Sequence, residues 1–87
     1  MRTIWKFPVP FPGGDIAMPK GAKILTLQMQ QGVPTLWAEV VPDGLNEIHH
    51  LVIYGTGHPI HSGSGSYIGT FQDPPFVWHV YDASGDL

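Results

Sequence analysis

Eighty-seven residues suffice for one domain, not two, and the absence of cysteine excludes disulfides. Four Lys plus Arg against seven Asp plus Glu give a formal net charge of −3. That balance argues against long nucleic acid as a partner, because such affinity grows with the number of phosphates neutralised. No run approaches the roughly 20 apolar residues needed to cross a bilayer, so no membrane partner is expected.

The chain opens on Thr3–Phe7, an expected strand closed by Pro8, Pro10 and Pro12, which lack the donor a central ladder requires. Gly13 and Gly14 read as a turn, and Asp15–Met18 as a short strand ended by Pro19-Lys20-Gly21. From Ala22 to Gln30 apolar and polar residues alternate, with Leu25, Leu27 and Met29 on one face and Thr26, Gln28 and Gln30 on the other. Gln31-Gly32 signals a tight hairpin to Val33–Val41, which sets Leu36, Ala38 and Val40 opposite Trp37, Glu39 and Val41.

After Pro42-Asp43-Gly44, Glu47–Tyr54 alternates again, with His50, Val52 and Tyr54 opposite His49, Leu51 and Ile53. Residues 55–66 form the longest irregular stretch. Tyr67–Gln72 and Phe76–Tyr81 follow as strands around Asp73-Pro74-Pro75, the second with Phe76, Trp78 and Val80 on one face. Residues 83–87 are expected to fray.

Frequent Gly and Pro with period-2 alternation predict an all-β fold, a small antiparallel sandwich or barrel of about six short strands, spanning 1–87 as a single domain. A domain this small buries only about 60–65% of its unfolded surface. With few charges and no disulfide, pairing of strand edges between copies predicts a homo-oligomer.

The segment Gly55-Thr56-Gly57-His58-Pro59-Ile60 is the most unusual local pattern. Glycines let backbone N–H groups approach an anion, while Thr56 and His58 add side-chain hydrogen-bonding groups. As a turn-rich connection it needs no function at all. As a site, it would take a small phosphate-bearing ligand at Gly55, Thr56, Gly57, His58 and Ile60, with Lys6 as the nearby cation. No lysine follows its glycines as in a nucleotide-triphosphate loop, and no helix follows as in a dinucleotide fold. The Ser-Gly tract after His61 reads as less constrained than the half containing Pro59.

Five histidines, His49, His50, His58, His61 and His79, lack metal-like spacing, since His49 and His50 point to opposite faces of one strand. No metal and no other cofactor is therefore expected. Ser62 or Ser64 with His58 and Asp73 forms no recognisable triad, so no catalytic residue is assigned, and a hydrolase using His58 and His61 stands as the lesser alternative to a binding module.

Ile4-Trp5-Lys6-Phe7-Pro8, Met18-Pro19-Lys20-Gly21-Ala22-Lys23-Ile24-Leu25, Leu36-Trp37-Ala38, Tyr54-Gly55-Thr56-Gly57-His58-Pro59-Ile60, Tyr67-Ile68-Gly69-Thr70 and Val77-Trp78-His79-Val80-Tyr81 together resemble a family of small bacteriophage-encoded proteins of unknown function. The resemblance covers nearly the whole chain, and the Gly-Thr-Gly-His-Pro-Ile loop is its most specific piece. It departs near residues 9–14 and after His61. The resemblance implies expression in the host bacterial cytoplasm. By analogy with small phage proteins it implies sequestration of a nucleotide-derived host immune signal, or else binding of a host protein or an accessory role in the virion.

Overall fold

The computed structural model describes residues 1–84. Seven strands form: β1 (Thr3–Pro8), β2 (Gly13–Pro19), β3 (Lys23–Gln30), β4 (Val33–Val40), β5 (Asn46–Gly55), β6 (Ser66–Asp73) and β7 (Phe76–Asp82). They build two antiparallel sheets, ordered β1-β4-β3 and β2-β5-β7-β6. The fold is all-β, as the alternation predicts, and its form is a sandwich of two separate sheets.

The alternation places one face of each sheet inward. Leu27 and Leu36 from the first sheet meet Leu51, Phe71 and Val80 from the second. Leu36, Leu51 and Val80 are fully buried. Each such side chain contributes about 1.5–3 kcal/mol on burial. Met18, Ala38 and Val40 extend the core toward the other end. At the β3–β6 side the sheets approach closely, because a Cβ at Gly69 would sit 3.0 Å from Leu27 Cβ.

Two expectations are corrected. Gly13 and Gly14 do not turn the chain; they lie inside β2, paired with Val52 and Leu51. Their φ values of 137° and 145° lie outside the range that L residues readily adopt, so glycine extends the strand where another residue would break it. In β3 the register shifts between Ile24 and Thr26. This bulge puts Ile24, not Leu25, against the core beside Leu27, and leaves Leu25 45% exposed. The Gln31-Gly32 hairpin forms as expected, with φ positive at both residues (51° and 79°).

At the C-terminal end, Ala83 is buried and its N–H donates to the His50 carbonyl at 2.8 Å. The Ser84 N–H and hydroxyl donate to Asp82 Oδ1 at 2.9 and 2.6 Å, and His49 Nδ1 lies 2.7 Å from Asp82 Oδ2. Ala83 and Ser84 are thus held in place, whereas residues 85–87 of the expected frayed tail lie outside the described residues. Burial opposes ionisation of Asp82, but the hydrogen bonds from Ser84 and His49 outweigh it and hold the carboxyl below its ordinary value.

The Ser-Gly tract reverses its expectation too. Ser64 is buried, bonded to Tyr54 Oη at 2.5 Å and donating to the His61 carbonyl at 2.5 Å. At Gly65 a Cβ would collide with the Asp82 carbonyl oxygen, so the backbone of this tract lies directly on the end of β7.

Two outcomes follow. Gly65→Ala, which meets both a collision and a positive φ, should destabilise by about 2–4 kcal/mol in urea denaturation, against about 1 kcal/mol for Gly63→Ala, which meets open space. Equal effects would show that the tract is not pinned. Because the folded carboxyl of Asp82 is depressed, its contribution is present above the unfolded carboxyl value of about 3.9 and fades as pH falls through the folded one. Asp82→Asn should therefore flatten the acid limb of the stability–pH curve, and an unchanged limb would exclude this clasp.

Candidate functional site

β5 ends at Gly55, which pairs with Trp78 on β7. Parity turns Gly55 and Trp78 inward, at the open end of the sandwich. The next residues form a tight turn: His58 N–H donates to the Gly55 carbonyl at 3.0 Å, and Gly57 has φ of 87°, as a type II turn requires at its third position. This folds the His58 ring back over Gly55. A Cβ at Gly55 would lie 2.8 Å from His58 Cε1 and 3.3 Å from Trp78 Cζ3, so the missing side chain is the space the imidazole occupies.

Thr56 is fixed from the other side of the sheet. Its N–H donates to the Val77 carbonyl at 3.2 Å, and its hydroxyl lies 2.7 Å from His79 Nε2. His79 Nδ1 meets Thr70 Oγ1 at 2.9 Å, and Thr70 Oγ1 meets Tyr67 Oη at 2.5 Å. One hydrogen-bonded row, Thr56–His79–Thr70–Tyr67, therefore runs from the turn after β5 across β7 and β6 on the outer face. Each hydroxyl can accept from one neighbour and donate to the next, and this continuity fixes the His79 ring.

Between the Gly55–His58 turn and the start of β7 lies a groove of about 380 Å³, lined by Gly55, Thr56, His58, Pro75, Phe76, Val77 and Trp78. Its wall is aromatic. Phe76 and Trp78 have ring centroids 5.6 Å apart, and Phe11 packs edge-on to Trp78 at 5.2 Å. Phe11 and Phe76 remain 50% and 57% exposed. Large apolar rings left in contact with water around a concavity mark a surface suited to a partner molecule.

Of the residues expected from sequence, Gly55, Thr56 and His58 line this groove. Gly57 lies at the turn's apex with no neighbour against it, and Ile60 is exposed beyond the lining. Lys6 lies on the other sheet, on the face shared with Trp37, where its ammonium donates to Gln30 Oε1 at 2.8 Å. Sequence reasoning missed Pro75, Phe76, Val77 and Trp78. Parity already put Phe76 and Trp78 on one face, but nothing local showed that β7 runs beside β5.

The remaining histidines are drawn to separate partners. His49 meets Asp82, and His50 meets Asp15 at 2.5 Å. Among the described residues no three metal-ligating side chains converge. Ser84, His49 and Asp82 do meet, but the hydroxyl binds the carboxylate, and His49 Nε2 is buried without a partner. A nucleophilic triad needs the hydroxyl on that nitrogen. A second hollow of about 310 Å³ lies under the Ser-Gly tract, against Val52, Tyr54, His61 and Ser64.

A family model described as Domain of unknown function (DUF7352) matches residues 1–86, and the chain belongs to that family. No curated protein and no solved structure matches the chain.

Gly55→Ala tests the turn. Its φ is ordinary, so the new methyl strains no backbone and acts chiefly by displacing the His58 ring, with a lesser press on Trp78 Cζ3 at 3.3 Å. The expected result is a small stability loss, about 1 kcal/mol, with a large change in the His58 ring-proton shifts, which sense Trp78. Unchanged shifts would place the ring elsewhere.

Proposed function

We propose that this member of the family is a small-ligand-binding module whose groove takes the flat ring of its ligand against Phe76 and Trp78. The carrying observation is the aromatic wall of exposed Phe76 and half-buried Trp78, facing the Gly55–His58 turn across about 380 Å³. That volume lies at the lower end of the roughly 300–1,000 Å³ of small-molecule sites. Stacking of a base on an aromatic side chain is worth about 1–3 kcal/mol. Nucleotide-derived molecules supply such a ring together with phosphate. In the phage setting implied by the sequence motifs, sequestering a nucleotide-derived host immune signal in the host bacterial cytoplasm is the role this chemistry supports. The proposal requires no catalytic residue.

A second reading has its own observation. Exposed apolar side chains also occur outside the groove, at Ile60 and, on β1 of the other sheet, at Ile4 and Trp5. Apolar groups left in water suit another protein, either a host factor or a second copy forming the expected homo-oligomer.

Native mass spectrometry of protein from bacterial lysate separates these readings. A nucleotide-sized mass released on denaturation is expected, and Phe76→Ala should abolish its retention. A ligand-free species with a stoichiometric host protein would transfer the function to protein binding.

A further inference from the structure

Among the five histidines, His49, His50 and His79 are engaged by a carboxylate or by hydroxyls. His61 packs its ring near Tyr54. His58 and His61 share the lack of a ring-nitrogen partner among the described residues, and of the two only His58 lines the aromatic groove. It is placed by packing against Gly55 and by its backbone bond to the Gly55 carbonyl, and its ring nitrogens have no partner among the described residues. It lines the aromatic groove. A side chain held in position while its polar atoms stay free is preorganised to bond a ligand.

His58 is also the one lining side chain that can carry charge. Thr56, Pro75, Phe76, Val77 and Trp78 cannot, and the Thr56 hydroxyl is committed to His79. The basic residues lie elsewhere. Arg2 pairs with Glu39 and Lys6 with Gln30, Lys23 stands on β3, and Lys20 sits in the turn after β2. The groove therefore offers an aromatic wall and a single imidazole, in a chain of net charge −3. One imidazole can offset one phosphate group. It cannot offset a chain of them, because the lining holds no second side chain that can be cationic.

We infer that His58 is the specificity-determining residue of the groove and that the ligand is a flat heterocycle carrying one phosphate group, a nucleoside monophosphate or a single phosphodiester, rather than a polyphosphate. This rests on the ligand-binding reading above. The chemistry is a hydrogen bond from the imidazole to a phosphate oxygen while the ring stacks on Phe76 and Trp78. A charge-assisted bond of this kind is roughly twice as strong as a neutral one.

The test is a titration of the full chain with adenosine, AMP and ATP, read by calorimetry and by tryptophan fluorescence. AMP is expected to bind about tenfold more tightly than adenosine, and ATP no more tightly than AMP. His58→Gln, which keeps hydrogen-bonding capacity and loses the charge, should bring AMP down to the affinity of adenosine while adenosine still perturbs the fluorescence. That retained response shows the groove to be folded. Affinity that climbs from AMP to ATP would overturn the inference, as would an AMP advantage that survives His58→Gln. A loss confined to Lys6→Gln would return the role to the basic residue expected from sequence. If no compound perturbs the fluorescence, the stacking reading itself falls and this inference with it; equal binding of adenosine and AMP overturns the role of His58 alone.

Discussion

Burial of the two facing sheet surfaces around Leu36, Leu51 and Val80 is the constraint on which the other features depend. Hydrophobic burial has no direction of its own, but a strand converts it into one, because alternate residues must face alternate sides. Once Leu51 faces the core, Ile53 and Gly55 follow on the same side, and Tyr54 is sent to the other. Once Val80 faces the core, Trp78 and Phe76 follow it out to the open end of the sandwich. The inner face of the second sheet thus runs from packed core to exposed aromatic groove along the same two strands. The groove is the part of that face which the first sheet does not cover.

Three glycines act as spacers in this arrangement, each for a different neighbour. At Gly69 the missing side chain lets β6 close on Leu27 of the other sheet. At Gly65 it lets the long loop lie on the Asp82 carbonyl. At Gly55 it admits the ring of His58. The first two consolidate the fold, and the third shapes a surface. The loop between β5 and β6 is therefore anchored at both ends, by the turn at His58 and by Ser64 under Tyr54.

The few charged and titratable groups of this chain are mostly satisfied in cross-strand pairs. Asp15 lies directly opposite His50 in the β2–β5 register and bonds it. Arg2 reaches Glu39 one strand away. Lys6 spans β4 to reach Gln30 on β3. These exposed pairs each contribute at most about 1 kcal/mol, so they matter less for stability than for removing potential binding groups from the surface. Against that background the His58 imidazole, without a partner among the described residues, stands beside the aromatic wall ready to bond.

Local pattern alone determined the strands, their faces and the tight turn at Gln31-Gly32, because alternation and turn chemistry act over a few residues. It also singled out Gly55-Thr56-Gly57-His58 as unusual. It misjudged Leu25, since a bulge shifts parity without leaving a mark in the residue types. It misjudged Gly13 and Gly14, since glycine serves an extended strand at φ near 140° as well as a turn. It judged the Ser-Gly tract loose, since the Tyr54 hydroxyl and Asp82 carbonyl that hold it come from other strands. Only the tertiary structure decided that β7 lies between β5 and β6, bringing Phe76 and Trp78 to Gly55, and that Lys6 belongs to the opposite sheet. The physical reason is range. Side-chain period is set by neighbouring residues, whereas the cost of closing a loop grows so slowly with its length that many strand pairings are nearly equal in entropy. What separates them is the packing of the whole core.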